Sequence, residues 1–316
     1  MAIAIVIAFI LGYIFIALEH PVGINKAATA LLTGVVCWLI LALAPYLLTS
    51  AGTGSSELIT GALFEHLGSI SEILFFLLGA MTIVELMDAH NGFRVITDRI
   101  TTSDQIKLLW ILCWVTFFLS AVLDNMTTTI IMCALIRKLV KTKEDVWVMG
   151  GFVIIAANAG GAWSPIGDVT TIMLWIGGQV SSLNIIRSTF LASMVSLIVP
   201  LIAASFFLRK RKMEAEEISL AGFGHMVATS PFEQKLLFVI GCLGLLAVPA
   251  FKAITHLPPY MGVLLSLGLL WVVTEWIHRK KPVQHKHELS VGFMLHRIDT
   301  TSILFFLGIL LAVGAL

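Results

Sequence analysis

Two short polar stretches interrupt the apolar regions of this 316-residue chain. The first is SAVLDNMTTTIIM, in which Asp124 and Asn125 are followed by Thr127 and Thr128. Carboxylate, amide and hydroxyl oxygens are the ligands that hard cations such as Na⁺ or Li⁺ take in proteins. An ionisable side chain at membrane depth costs about 2.5–3.5 kcal/mol on insertion scales, and is therefore typical of a functional site. The alternative is that Asp124 only caps the helix that follows it.

The second stretch is AANAGGAWSPIGDVTT. Its candidate ion-binding and proton-coupling residues are Asn158, Ser164, Pro165 and Asp168. The Gly-Gly pair at 160–161 and the Ser-Pro pair are expected to unwind a helix, so that free carbonyls line a cavity as cation ligands. Asp168 could instead only cap the next half-helix, and the glycines could serve close helix packing. The density of Asn, Ser and Asp favours ion binding.

Together these stretches suggest a chemistry for the two carboxylates. If Asp124 and Asp168 face one site, their deprotonated oxygens can hold either protons or a cation, with Asn125 and Asn158 completing a Na⁺ site. Competition for one site, combined with alternating access, is sufficient for antiport, and a higher pH favours cation binding. Transported Na⁺, Li⁺ and H⁺ are expected, and no resident cofactor.

The composition excludes a soluble globular protein. Hydrophobic residues make up 58% of the chain and charged residues 12%, whereas soluble domains carry about 45–50% and about 25%. A net charge of +1 gives no general attraction to nucleic acid. Since a membrane-spanning helix needs about 20 apolar residues, we predict an all-α polytopic membrane protein in a lipid bilayer. The predicted spans are 2–18, 28–48, 72–90, 183–208, 236–254, 259–277 and 299–316.

Two further apolar regions are broken and do not fit a simple span. Residues 108–140 are interrupted at Asp124-Asn125, and residues 147–178 are interrupted by NAGGAWSPIGD. If 108–140 is a hairpin that enters and leaves at one membrane face, all but two of the 20 Lys and Arg residues lie on the inner side. This agreement with the positive-inside rule favours a re-entrant hairpin followed by a broken helix.

The chain also shows a sign of internal repetition. The sequence ILFFL occurs at 73–77 and again at 303–307, each time at the start of a span. Two-fold repeats are the usual architecture of secondary transporters. We therefore predict an inverted-repeat transporter fold, with first-repeat spans at 1–208, a cytoplasmic linker at 209–234 and a second repeat at 235–316. The counterparts of the hairpin and broken helix would fall beyond Leu316, so the second repeat is expected to be truncated.

Two acidic residues at the inner end of the third predicted span are candidates for an ion path. Glu85 and Asp88 are three residues apart and therefore share one helical face. They could form an entry path for protons or cations. Alternatively, they lie in the membrane interface near Arg94.

The motifs LLGAMTIVELMDAHNGF, SAVLDNMTTTIIM and NAGGAWSPIGDVTTIMLW resemble the NhaD family of sodium/proton antiporters. That family belongs to an ion transporter superfamily that includes arsenite, citrate and dicarboxylate carriers. The resemblance implies Na⁺ or Li⁺ extrusion in exchange for H⁺, a homodimer, and a multi-pass location in the inner or plasma membrane. It matches the acidic hairpin tip to Asp124 and Asn125, with Thr127 and Thr128 following, and the unwound stretch to Asn158, Ser164, Pro165 and Asp168.

Three alternatives stay open. An organic-anion, dicarboxylate or arsenite carrier of the same superfamily would have no carboxylate beside its anion. A membrane aspartyl protease would need two aspartates on intact, facing spans, so no catalytic residue is assigned and no enzyme is expected. The third alternative is an inactive fragment.

Overall fold

The structure is a computed structural model that describes residues 2–48, 53–100, 102, 104–140, 142–208, 229–279 and 281–316. In this part of the chain, every regular element is a helix. The helices are α1 (Ala2–Ala17), α2 (Glu19–Val22), α3 (Lys26–Leu48), α4 (Thr53–Ala89), α5 (Arg94–Thr97), α6 (Gln105–Ser120), α7 (Asn125–Leu139), α8 (Lys143–Ala162), α9 (Val169–Ile176), α10 (Ser182–Leu208), α11 (Pro231–Thr255), α12 (Pro259–His278), α13 (Val283–Glu288), α14 (Val291–Arg297) and α15 (Thr300–Gly314).

Many of these helices are suited to a membrane. Among the described residues, six are long and apolar enough to cross a bilayer, or seven if α14 and α15 count as one span. The six are α3, α4, α8, α10, α11 and α12. The prediction of an all-α polytopic membrane protein is therefore confirmed.

Helix α4 differs from its prediction. The sequence predicts a span at 72–90, but the helix begins at Thr53 and continues for 37 residues. Residues 53–71 of this helix include no proline, and the helix therefore extends through its three glycines there, Gly54, Gly61 and Gly68, which are tolerated at a cost of about 1 kcal/mol each.

The contacts divide the described residues into two compact units. The first comprises residues 1–78 and 298–316, and in it α3 packs against α1 and α15. The crossing of α3 and α15 is close, because a Cβ atom at Gly34 would lie 2.7 Å from the carbonyl oxygen of Gly308. The indole Nε1 of Trp38 donates a hydrogen bond of 2.9 Å to the carbonyl oxygen of Leu311.

The second unit, residues 79–297, contains both broken elements. Its apolar core is formed by α6, α7, α8 and α10, with fully buried Leu109, Phe117, Leu135, Val153 and Leu201. Because lipid is as apolar as these side chains, close packing is what holds such helices together.

Helices α6 and α7 form an antiparallel pair on α8. At one end Gln105 Nε2 donates to Asp145 Oδ1 at 3.2 Å, and at the other Ser120 Oγ donates to the carbonyl oxygen of Ala157 at 2.6 Å. Helix α6 therefore runs parallel to α8. Helix α7 runs the other way, since Asn125 lies beside Asn158 while residue 133, further along α7, lies near residue 150. The predicted hairpin corresponds to this pair, and its entry from one membrane face stays a prediction.

The end of the predicted linker is helical. Residues 209–228 lie outside the described residues, but α11 already begins at Pro231. Ser230 and Glu233 form a capping box in which each side chain accepts a hydrogen bond from the backbone N–H of the other. This motif satisfies two free N–H groups and so sets the helix start before residue 235. The predicted division into repeats stays a prediction.

Candidate functional site

Asp124 occupies the turn between α6 and α7 and caps α7. Its Oδ1 accepts a hydrogen bond of 2.7 Å from the backbone N–H of Thr127, and its Oδ2 accepts one of 2.7 Å from the hydroxyl of the same residue. A carboxylate followed three residues later by a threonine is suited to this role, because the first N–H groups of a helix have no partner within it. The predicted role of Asp124 as a cap is therefore present in the structure.

Asp168 likewise caps a helix, α9, which follows the second non-helical segment. Helix α8 ends at Ala162 and α9 begins at Val169, so residues 163–168 are not helical. Asp168 Oδ1 accepts hydrogen bonds from the backbone N–H of Thr170 at 2.8 Å and from its hydroxyl at 2.5 Å. Two helix N-termini, those of α7 and α9, are thus each capped by a carboxylate, which the partial positive charge of a helix N-terminus stabilises.

The expectation that the glycines at 160–161 unwind the helix is wrong. Both residues lie within the last turn of α8. A Cβ atom at Gly160 would overlap the carbonyl group of Phe117, and one at Gly161 would overlap that of Gly167. The glycines therefore allow α6 and the non-helical segment to approach α8, which is the packing alternative. The helix ends only where Ser164 and Pro165 follow, since proline disfavours helical backbone in the residue before it.

The two breaks meet at Asn125. Its Nδ2 donates one hydrogen bond of 2.7 Å to Asp168 Oδ2 and another of 3.0 Å to Asn158 Oδ1. Asp124 directly precedes Asn125 in the turn before α7. Four of the predicted residues, Asp124, Asn125, Asn158 and Asp168, therefore cluster at the N-termini of α7 and α9.

Of the other predicted site residues, Thr127 joins the cluster through its two hydrogen bonds to Asp124, whereas Thr128 and Ser164 do not. Thr128 is fully buried, and its hydroxyl has no hydrogen-bond partner among the described residues. Ser164 is buried and its Oγ accepts a hydrogen bond of 3.3 Å from the N–H of Ile166, which stabilises the non-helical segment beside Pro165. Asn158, by contrast, is exposed on the surface of this unit.

The two candidate ion-path residues lie in the last two turns of α4. Glu85 Oε1 is 2.9 Å from Arg297 Nε, and this ion pair joins the end of α4 to the end of α14. Asp88 accepts a hydrogen bond from the N–H of Asn91 through its backbone carbonyl. Arg94 pairs with Asp98 at 3.5 Å. The ion path and the interfacial position both stay predictions for Glu85 and Asp88.

Lys252 is a residue whose role the sequence analysis missed. Its Nζ donates a hydrogen bond of 2.9 Å to the carbonyl oxygen of Trp175 and lies 4.7 Å from the centroid of the indole ring. Lys252 thus neutralises the C-terminal end of α9, whose N-terminus carries Asp168. A lone lysine within the apolar sequence AVPAFKAI was the signal that could have identified it.

Comparison with known proteins shows a family match over most of the chain. A family model described as "Citrate transporter" matches residues 13–316. The chain is 47% identical to "Sodium/proton antiporter 1" of Arabidopsis thaliana, over 99% of this chain and 52% of that protein. It is 42% identical to "Sodium/proton antiporter 2" of the same plant, over 98% of this chain and 70% of that protein.

A bacterial antiporter is also similar to this chain. The "Na(+)/H(+) antiporter NhaD" of Vibrio cholerae is 31% identical over 84% of this chain and 54% of that protein. The chain therefore spans about half the length of two of these three relatives.

Proposed function

Because the chain belongs to the citrate transporter family, where it is of the NhaD antiporter type, we propose that it exchanges Na⁺ or Li⁺ for H⁺ across a membrane. The observation that carries this proposal is the cluster of Asn125, Asn158 and Asp168, with Asp124 beside it. Carboxylate and amide oxygens converge there from two broken helical elements. Such oxygen ligands suit a hard, weakly bound cation.

Exchange follows from the chemistry of the two carboxylates. Asp124 and Asp168 bind either protons or a cation, because both species need the same ionised oxygens. When the site faces one side of the membrane it releases one species and takes up the other, and alternating access then couples the two fluxes. Raising the pH removes the competing proton and favours the cation.

Residues near the cluster supply the rest of the site. The hydroxyl of Thr128, buried without a partner among the described residues, offers an oxygen to the cation or to a bound water. Thr127 holds Asp124 in place. Ser164 and Pro165 keep the segment before Asp168 out of the helix. Glu85 and Asp88 are proposed to lie along the ion path at the inner end of α4.

The organic-anion alternative has less support from the geometry. An anion carrier would offer the free N–H groups of helix N-termini to its substrate. At α7 and α9 those N–H groups are bound by Asp124 and Asp168, whose charges repel an anion. The family description, "Citrate transporter", is compatible with this alternative but does not favour it.

The surroundings of the protein are proposed on the same basis. The apolar helices require a lipid bilayer, and we propose that this is the inner or plasma membrane of the cell. A homodimer is proposed from the resemblance to NhaD. The family and the named relatives are transporters, and no enzymatic role is proposed.

The substitution Asp124→Asn tests the proposal. We expect it to abolish Na⁺- and Li⁺-induced dissipation of the pH gradient in everted membrane vesicles, because an amide can neither take up the proton nor neutralise the cation. The matched control is Asp98→Asn, a surface residue paired with Arg94, which should leave exchange unchanged because surface ion pairs contribute little.

The vesicles should carry the 316-residue chain, with vesicles that lack it as the blank. Exchange by this chain would contradict the inactive-fragment alternative, and no exchange would support that alternative. A response to citrate or dicarboxylates in place of cations would overturn the antiporter proposal.

A further inference from the structure

We propose that Asn125 is a reorienting side chain, whose amide NH₂ group closes the empty site and whose carbonyl oxygen turns towards the cation when the cation binds. This inference rests on the proposed function, because it describes how the same site changes between empty and occupied states. It assigns Asn125 a second role beyond that of a fixed ligand.

The hydrogen bonds define which end of the Asn125 amide faces the cluster. Asn158 donates its own Nδ2 to the carbonyl oxygen of Ile154 at 2.8 Å, so its Oδ1 must face Asn125. The carboxylate oxygens of Asp168 accept hydrogen bonds. With two acceptors facing it at 3.0 and 2.7 Å, Asn125 must present its NH₂ group.

In this arrangement the NH₂ group occupies the position of a cation. It lies between Asn158 Oδ1 and Asp168 Oδ2, and its partial positive charge neutralises part of the carboxylate charge. A Na⁺ ion between the same oxygens would be repelled by the amide hydrogens. Half a turn about the bond between Cβ and Cγ places Oδ1 of Asn125 there instead, and three oxygens then converge on the ion.

The surroundings leave the side chain free to make this turn while they hold the backbone. Asn125 is the first residue of α7, and its carbonyl oxygen accepts a hydrogen bond of 2.7 Å from the Thr129 hydroxyl. Its amide meets Asn158, which is exposed, and the half-turn only exchanges an oxygen atom and an NH₂ group of similar size.

Infrared difference spectroscopy can follow this reorientation. The chain is labelled with asparagine that carries ¹³C in the side-chain carbonyl and is reconstituted in lipid at alkaline pH. Spectra with Na⁺ minus choline are compared for the wild type, for Asn125→Asp, and for the matched control Asn184→Asp, which changes an exposed asparagine at the start of α10. Binding of ²²Na⁺ is measured on the same samples.

We expect a Na⁺-dependent shift of one labelled carbonyl band, which saturates at the same Na⁺ concentration as ²²Na⁺ binding. The shift should be lost in Asn125→Asp and retained in Asn184→Asp. Wild-type binding of ²²Na⁺ without an Asn125-dependent shift would overturn the reorientation and leave the proposed function intact. No ²²Na⁺ binding by the wild type would overturn the proposed function itself, and with it this inference.

Discussion

At the scale of single residues, the geometry of Asp168 is compatible with both helix capping and the proposed ion binding. Its Oδ1 is bound by Thr170, while its Oδ2 faces Asn125. One oxygen therefore positions the carboxylate, and the other faces the cluster. Both oxygens of Asp124, by contrast, are bound by Thr127. The sequence posed capping and ligation as alternatives, and the geometry shows the cap at Asp168 while it leaves one oxygen of the same side chain for the proposed ion.

Lys252 allows a prediction at this scale. We expect Lys252→Met to destabilise the protein by about 1–2 kcal/mol, because it removes a cation–π contact and a positive charge at the C-terminus of α9. The measurement is thermal unfolding in detergent. Lys252→Arg keeps the charge and should recover most of the loss, whereas equal stability of the methionine variant and the wild type would contradict the assigned contact.

At the scale of the elements, the glycines at the end of α8 serve packing. We expect Gly160→Ala to destabilise the protein by about 1–3 kcal/mol, because the added methyl group would overlap the backbone of α6 at Phe117. Gly151→Ala is the matched control in the same helix. A Cβ atom there meets nothing within 4 Å, so the change should be neutral or stabilise the helix by about 0.5–1 kcal/mol.

Chemical denaturation of the two variants in the same detergent compares these effects directly. If Gly160→Ala and Gly151→Ala had the same free energy of unfolding, the close approach of α6 and α8 would be contradicted.

At the scale of the whole molecule, a buried histidine pair links stability to pH. His90 and His278 stack with ring centroids 5.0 Å apart and Nε2 atoms 3.3 Å apart. Burial lowers the pKa of His90 to about 4. The positive charge of Lys281 also lowers this pKa, whereas the negative charge of Glu233 raises it. The hydrogen bond between His90 Nδ1 and the carbonyl oxygen of Leu86 also raises the pKa.

The sign of the pH dependence follows from this shift. Above the ordinary histidine pKa of about 6.5 both the folded and the unfolded chain hold His90 neutral, and its neutral contacts contribute fully. As the pH falls from about 6.5 towards 4, only the unfolded chain takes up the proton, so the free energy of unfolding decreases by up to about 3 kcal/mol. Thermal unfolding between these pH values measures the effect.

The variant His90→Phe should flatten this pH dependence, even if it lowers the stability at neutral pH. His287→Gln, which changes an exposed histidine, should leave the slope unchanged. A wild-type stability that is constant between pH 6.5 and 4 would contradict the neutral buried pair.

The sequence by itself determined the properties that depend on local chemistry. Apolar runs long enough to cross a bilayer predicted the polytopic helical fold, and Asp124 and Asp168 marked two helix starts, because capping and helix breaking act over three or four residues. Only the tertiary structure decided that Asn125 donates to Asn158 and Asp168, that the glycines at 160–161 stay helical, and that Lys252 binds the end of α9. These outcomes depend on which helix faces touch and at what register, and the energy of such contacts between distant residues is not encoded in any local pattern.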